Sequence, residues 1–131
     1  MTDELDLAQI VGAAESAAIQ RLTLYIPSRD RNGKEFDPAR WVEEALRLLS
    51  RIGGGATAMP PVDGAWLNPE TSELIREKVV LAYTFIDPDK FEATLHELRA
   101  FLHRIGRETN QGEVVFEFDD RLFKIVAYDA E

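Results

Sequence analysis

The segment Lys78–Gly106, KVVLAYTFIDPDKFEATLHELRAFLHRIG, decides the fold because it combines a strand, a helix cap, a helix and a helix stop. Apolar residues on both faces of its first part predict a central strand. Asp87-Pro88 predicts a capped helix start, since Asp is a good N-cap and Pro suits the first turn. Gly106 is predicted to end the helix. The helix shows an apolar stripe at helical spacing: Phe91, Leu95, Leu98, Leu102 and Ile105.

The same device occurs earlier in the chain. FDPARW at 36–41 matches IDPDKF at 86–91, and each helix that follows ends in Arg-Ile-Gly, at 51–53 and 104–106. The earlier unit begins with Arg21–Pro27, whose strict alternation predicts a strand. Two β-α-β units predict an α+β fold, a ferredoxin-like split β-α-β sandwich (β-α-β-β-α-β) with an extra C-terminal strand.

The remaining strands complete this sheet. Residues 56–67 are predicted to lie at a sheet edge, because Pro60-Pro61 cannot donate ladder hydrogen bonds. Glu113–Phe118 and Leu122–Tyr128 predict a hairpin, with a turn at Asp119-Asp120-Arg121. The sheet face away from the helices is predicted to carry some of four side chains: Thr23, Tyr25, Tyr83 and Glu117.

The chain divides into an extension and one domain. Residues 3–19 have apolar residues, mostly alanine, at helical spacing, and Thr2 is the predicted cap. We therefore expect an N-terminal helical extension over 1–20 and a ferredoxin-like domain over 21–131. With 131 residues, the chain is long enough for one hydrophobic core.

Composition excludes several kinds of chemistry. The chain has no cysteine and two histidines, so it has no disulfide, no cysteine nucleophile and no histidine-rich metal site. We expect no cofactor and no metal. A net charge of −9 disfavours nucleic acid, unless Arg29, Arg31 and Lys34 form a local basic patch. The absence of a bilayer-length apolar run and of a signal-peptide pattern predicts a cytoplasmic protein without membrane contact.

Short motifs in the second half of the chain carry a family resemblance. They are Gly64-x-Trp66, Glu77 before Val79-Val80-Leu81, and Gln111 before Glu113-Val114-Val115. In these motifs residues 22–118 resemble an uncharacterised bacterial family of small ferredoxin-like proteins. The alanine-rich N-terminal helix and the final strand depart from that pattern. The resemblance implies the fold, and it implies no activity.

Five residues are candidates for ligand binding, and none is predicted to be catalytic. Tyr25 and Arg29 lie at the end of the first strand, where a small anion would meet the sheet. Trp66 and Glu77 flank a predicted hairpin, where Trp66 would cover a cavity and Glu77 would act as a base or hydrogen-bond acceptor. Tyr83 shares the open face with Tyr25. The alternative for these groups is packing and surface pairing.

Two further groups were considered as sites. His96 and His103 lie seven residues apart on one side of a helix, roughly 10 Å, which is too far for one metal ion. We expect both histidines at the solvent edge. Asp119 and Asp120 lack the ligand spacing of a calcium loop.

Three functions remain open at this point. The first is a non-catalytic protein-interaction module, self-associating through the sheet or the N-terminal helix, because no acid, base and nucleophile cluster in the sequence. The second is a small-ligand-binding protein or modest enzyme of the dimeric α+β barrel type, with its pocket between open sheet faces near Tyr25, Trp66 and Tyr83. The third is an acidic inhibitor or immunity protein for a basic toxin or nuclease. The first is favoured, with a homo-oligomer or another protein as partner.

Overall fold

A computed structural model describes residues 6–14 and 18–130. Within these residues the elements are, in chain order, α1 (Leu7–Val11), β1 (Arg21–Ile26), α2 (Ala39–Gly53), β2 (Thr57–Ala58), β3 (Val62–Leu67), β4 (Leu74–Phe85), α3 (Pro88–Glu108), β5 (Val114–Phe118) and β6 (Arg121–Ile125). The protein is therefore an α+β protein, as the sequence predicts.

The strands form one antiparallel sheet in the order β2–β4–β1–β5–β6. Strand β4 is central, as expected from its apolar residues, and its 12 residues are enough to pair with three other strands. Its second half pairs with β1 and β2, and its first half forms a hairpin with β3. The β3–β4 hairpin therefore extends one end of the sheet beyond the helices.

Helices α2 and α3 pack on one face of the sheet and enclose the core. Leu22, Leu24 and Ile26 of β1 are at most 1% exposed, because alternation points all three side chains at the helices. Trp41 of α2 and Phe101 of α3 meet edge to face, with ring centroids 6.2 Å apart. This core covers one face of the sheet, so only the opposite face of each strand is available for a binding site.

One of the two predicted Asp-Pro caps forms as expected. Asp87 is the N-cap of α3 and accepts hydrogen bonds from the N–H groups of Asp89 and Lys90, at 3.1 and 3.3 Å. At α2 the N-cap position is Pro38, which makes no side-chain cap hydrogen bond, and Asp37 just before it accepts from the Ala39 N–H at 2.9 Å. Both carboxylates thus bind N–H groups of a first helical turn that have no partner inside the helix.

The predicted helix stops need correction. Helix α3 passes through Gly106 and continues to Glu108, because the glycine leaves room for the Tyr128 ring, which a Cβ there would overlap. Helix α2 includes Gly53, and Gly54 adopts the left-handed conformation that ends it, with φ 87°. Leu95, predicted to be buried, is 46% exposed, whereas Phe101 is buried.

The predicted N-terminal helix over 3–19 is not continuous. Among the described residues 6–14 and 18–20, only Leu7–Val11 is helical. Asp6 caps this helix, and Gly12 ends it in a left-handed conformation with φ 71°. The predicted cap Thr2 lies outside the described residues. Leu7, Ile10 and Val11 are all at least 60% exposed, so this helix adds nothing to the core.

Two strand boundaries also differ from expectation. The last strand ends at Ile125, and the chain beyond it runs back over α3 instead of continuing the sheet to Tyr128. The turn before it places Asp119 and Asp120 at positive φ, 52° and 64°, which is the geometry of a two-residue hairpin. Within the described part of the chain, no helix is long and apolar enough to cross a bilayer.

Candidate functional site

The sheet face opposite the helices, here called the open face, carries the candidate residues. Cross-strand pairs place Thr23 beside both Tyr83 and Glu117, and Tyr25 beside Leu81. The β3–β4 pairing places Trp66 beside Ile75 on the same face. Four of the five predicted ligand-binding residues therefore face the same side of the sheet: Tyr25, Trp66, Glu77 and Tyr83.

Glu77 is the most unusual group on the open face. Its side chain is half-buried, and its Oε2 atom is buried without a hydrogen-bond partner among the described residues. Burial raises the pKa of this carboxyl, while the Ser28 and Arg29 amides and the Arg29 guanidinium act in the opposite direction. An acceptor left unpaired in this way costs stability, so it marks a position suited to a ligand.

Gly64 and Trp66 explain how Glu77 stays accessible. Gly64 lies directly across from Glu77 on β3, so no side chain covers the carboxylate from that strand. A Cβ at Gly64 would sit 3.1 Å from Cγ2 of Val79, which is tight. Trp66, two residues further along β3, projects beside this notch and is 53% exposed. The Gly-x-Trp motif therefore provides a gap next to Glu77 and an aromatic wall beside it.

Arg29 lies on the other side of Glu77, in the loop after β1. Its guanidinium pairs with Glu35 at 3.0 Å, and the two residues also form an isolated backbone bridge. Ser28 Oγ donates to the Lys78 carbonyl oxygen at 2.5 Å and ties this loop to β4. Arg31 donates to the Gln111 carbonyl oxygen. Both arginines that were considered for anion binding thus have acceptors within the chain.

Tyr25 and Tyr83 form a second group, away from Glu77. Tyr25 pairs with Leu81, four residues along β4 from Glu77, which is roughly 13 Å at the rise of a strand. The Arg21 guanidinium lies over the Tyr83 ring, 5.4 Å from its centroid. The structure therefore brings Arg29, Trp66 and Glu77 together, and it places the two tyrosines nearer the middle of the sheet.

Tyr25 is held by a carboxylate on the neighbouring strand. Its hydroxyl donates to Oε1 of Glu117 at 2.6 Å. That hydrogen bond, then burial and the Glu117 charge, raise the pKa of Tyr25 from 10.0 to about 12, against the opposing effect of Arg21. The pair orders the open face near its centre.

This shift predicts a pH dependence. Because the folded-state pKa of Tyr25 is above the unfolded value, its contribution to stability is complete below about pH 10 and is lost as the pH rises to about 12. The free energy of unfolding, measured in urea over that range, should fall more steeply for the wild type than for Tyr25→Phe. Equal slopes would show that the Tyr25–Glu117 bond does not form.

His103 is not at the solvent edge, as the sequence suggested. It is 6% exposed, and its Nδ1 accepts a hydrogen bond from the Asp129 amide at 2.8 Å. His96 is exposed, as expected. Because His103 holds the C-terminal segment, its role is structural and separate from the open face.

Two clefts lie away from the open face. One runs between α2 and α3 and is lined by Arg51, Glu97 and Arg104 among others. The other lies between the 30–37 loop and the end of α3. The first is crossed by the Arg51–Glu97 ion pair, 2.6 Å between the charged atoms, which occupies its polar groups. The first cleft also contains the buried Glu44 Oε2 atom, which lacks a hydrogen-bond partner in the same way but forms an ion pair with the Arg104 guanidinium at 2.8 Å.

Sequence reasoning missed the partners that complete the site. From the sequence, Gly64 and Gln111 were identified only as parts of a family pattern. The Gly-x-Trp spacing is the signal for Gly64, since it puts both residues on one face of a strand. No local signal connects Gln111 to Arg29, because 82 residues separate the two ends of that hydrogen bond.

Comparison with known proteins gives structural neighbours. No family model and no curated protein matches the sequence. A phage SAM lyase in complex with S-methyl-5'-thioadenosine is similar in structure, with a TM-score of 0.61 and 12% identity over 87% of this chain and 94% of the other. A phage SAM lyase in the apo state gives 0.56 and 16%, over 86% and 92%. The chain thus shares the fold of these lyases.

These neighbours correct the favoured prediction of function. The sequence favoured a non-catalytic interaction module because it shows no cluster of acid, base and nucleophile. Both neighbours are enzymes, which conflicts with that prediction and fits the small-ligand-binding enzyme better. The absence of a familiar catalytic cluster therefore did not justify a non-catalytic function.

Proposed function

We propose that this protein is a small-ligand-binding enzyme that cleaves an S-adenosyl sulfonium compound, as a SAM lyase does, at the Glu77 end of the open face. The observation that carries the proposal is the half-buried Glu77, with its unpaired Oε2 between the Gly64 notch and Trp66. The shared fold supports it by making such a site plausible on this sheet.

The chemistry of the ligand matches these groups. SAM carries a positively charged sulfur. In the proposed step the bond from that sulfur to the γ-carbon of the amino-acid chain breaks, the sulfur keeps both electrons, and S-methyl-5'-thioadenosine leaves. The substrate's own carboxylate oxygen forms a new bond to that carbon, so the amino-acid fragment leaves as a lactone and the step needs no other reactant. The Glu77 carboxylate supplies the opposite charge in a partly desolvated position, where attraction is stronger than in water. The exposed face of Trp66 offers a surface on which adenine stacks.

The charge of the whole protein also favours a cation. With a net charge of −9, the average field attracts positively charged ligands and raises their local concentration. From the sequence, the same acidic character suggested a basic protein partner. The inhibitor or immunity function stays a prediction, since no observation of the structure bears on it.

Self-association is part of this proposal. At the Glu77 end of the open face, the apolar side chains of Val62 and Trp66 on the hairpin are 37% and 53% exposed. A second copy that covered this apolar surface would enclose a ligand between sheet faces, as in a dimeric α+β barrel. The homo-oligomer therefore stays a proposal, linked here to closing the site.

We also propose the ferredoxin-like classification within the α+β class. The order β2–β4–β1–β5, with α2 and α3 each following a strand and packing on one face, supports a split β-α-β arrangement. The β3 strand and the final β6 strand are additions to that arrangement.

The site can be tested by titrating isotope-labelled protein with S-methyl-5'-thioadenosine in NMR experiments. We expect the largest shifts at Gly64, at the Trp66 indole N–H and at the Arg29 amide, because these groups surround Glu77. The control is the cleft between α2 and α3, on the other side of the sheet, where Arg47 and Ala100 should not shift. Absence of binding, or shifts confined to the α2–α3 cleft, would contradict the proposed site.

A further inference from the structure

Gln111 is a buried polar residue that the proposed chemistry does not use. It is 7% exposed and lies in the loop between α3 and β5. Its side-chain Nε2 donates to the Arg29 carbonyl oxygen at 2.8 Å. The same nitrogen lies 3.2 and 3.1 Å from the carbonyl oxygen and Oγ1 of Thr109. A buried amide with this many acceptors has one orientation available, so it fixes the backbone that it contacts.

The backbone of Gln111 is fixed as firmly as its side chain. Its carbonyl oxygen accepts from the Arg31 guanidinium at 2.8 Å and from the Tyr128 hydroxyl at 3.0 Å. The Arg31 amide donates to the Asn110 carbonyl oxygen at 2.9 Å. Loop 109–112 is therefore joined both to the loop that follows β1 and to the C-terminal segment.

The C-terminal segment braces this connection from the other side. The Tyr128 ring packs against Gly106, where a side chain would overlap it. The Asp129 carboxylate pairs with Arg99 through two hydrogen bonds, at 2.7 and 2.9 Å. The Asp129 amide donates to His103. Residues 128–129 thus hold Gln111 against α3.

We propose that Gln111 is a positioning residue for Glu77: by donating to the Arg29 carbonyl oxygen, its side-chain amide holds the Ser28–Arg29 backbone against the buried carboxylate. The expected effect of Gln111 on ligand affinity rests on the proposed function. The expected effect on the pKa of Glu77 does not. Gln111 touches no substrate, and its effect passes through the loop.

The electrostatics of the site predict the direction in which the pKa of Glu77 should change. The Ser28 and Arg29 amides and the Arg29 guanidinium each lower the pKa of Glu77, against the larger effect of burial. If the loop moves away when Gln111 no longer holds it, these opposing effects weaken while part of the burial persists. The pKa of Glu77 in the variant should then be higher than in the wild type.

The test uses Gln111→Met, which keeps the length of the side chain and removes its donor. Carbon-detected NMR titration of the ligand-free protein should show a raised Glu77 pKa. The affinity for S-methyl-5'-thioadenosine should fall by at most roughly fivefold, because the ligand must then order a loop that one hydrogen bond of about 1 kcal/mol no longer holds. Thr84→Val is the matched control, since it removes the buried hydrogen bond from Thr84 to Gly55 at the far end of β4. It should leave the Glu77 pKa unchanged.

The outcomes distinguish the positioning role of Gln111 from the proposed function. An unchanged Glu77 pKa in folded Gln111→Met overturns the positioning role, whatever the ligand does. A wild type that does not bind S-methyl-5'-thioadenosine contradicts the proposed function, while the pKa comparison still decides the role of Gln111. Should Gln111→Met fail to fold, Tyr128→Phe removes only the hydroxyl that braces the Gln111 carbonyl. It should raise the Glu77 pKa by a smaller amount, and no rise would overturn the proposal.

Discussion

Replacing Glu77 by glutamine should raise the KM for SAM about 10-fold or more, and so lower the release of S-methyl-5'-thioadenosine at low SAM concentrations. The substitution keeps the shape of the side chain and removes the charge that faces the cationic sulfur. Because the sulfur loses its charge as the bond breaks, the carboxylate attracts bound SAM more than the transition state, and its loss weakens binding more than turnover. Rates would be measured by chromatography of the nucleoside product over a range of SAM concentrations, so that KM and kcat are separated.

Glu73→Gln is the matched control for this substitution. Glu73 lies just before β4, is exposed, and precedes the hairpin strand that carries Glu77. The Glu73→Gln substitution removes one negative charge from the same hairpin. A general effect of net charge on the binding of a cationic substrate would therefore appear in both variants. A comparable rise in KM in Glu73→Gln, or an unchanged KM in Glu77→Gln, would contradict the role of Glu77.

The second large effect is on stability. Gly53→Ala should lower the free energy of unfolding by about 2 kcal/mol, because a Cβ at Gly53 would overlap Oγ1 of Thr84 and the Phe85 carbonyl oxygen. Helix propensity alone predicts the opposite sign, since alanine is favoured over glycine in a helix by about 1 kcal/mol. Thermal or urea unfolding gives the sign directly.

Gly55→Ala provides the comparison for Gly53. A Cβ at Gly55 would meet nothing within 4 Å, and Gly55 does not have the positive φ that Gly54 has. The change should therefore alter stability by only a few tenths of a kcal/mol. If Gly53→Ala lowered the free energy of unfolding no more than Gly55→Ala does, that result would contradict the close approach of α2 to the end of β4.

Local signals were enough to predict most of the fold. The alternation of Arg21–Ile26 and the Asp87-Pro88 cap depend on neighbouring residues alone, and the structure contains both. The end of α3 could not be predicted in this way. Gly106 is a helix-stop signal in isolation, but here it makes room for Tyr128, 22 residues later. Tertiary packing overrode the local preference.

The N-terminal prediction failed for a related reason. Alanines at helical spacing suggested a helix over 3–19, although a thin apolar stripe gains little by packing. Gly12 breaks the pattern, and the exposed Leu7, Ile10 and Val11 show that the core does not support a longer helix. A periodic sequence without a surface to pack against is weak evidence for a helix.

The candidate site was predictable only in part. Trp66 and Glu77 were identified as flanking one hairpin, and the structure places them on one face of it. The pairing of Gly64 with Glu77 depends on hairpin register, and a slip of one residue would turn Glu77 to the other face. The link from Gln111 to Arg29 depends on contacts between distant segments, which a single sequence does not show.

Incubation of the purified wild-type protein with SAM is the most direct test of the central claim. The products would be identified by mass spectrometry against a sample without protein. The account predicts that S-methyl-5'-thioadenosine accumulates with time and in proportion to protein concentration. If its formation matches the protein-free control while the protein is folded, then the proposed enzymatic function of the Glu77 site is contradicted.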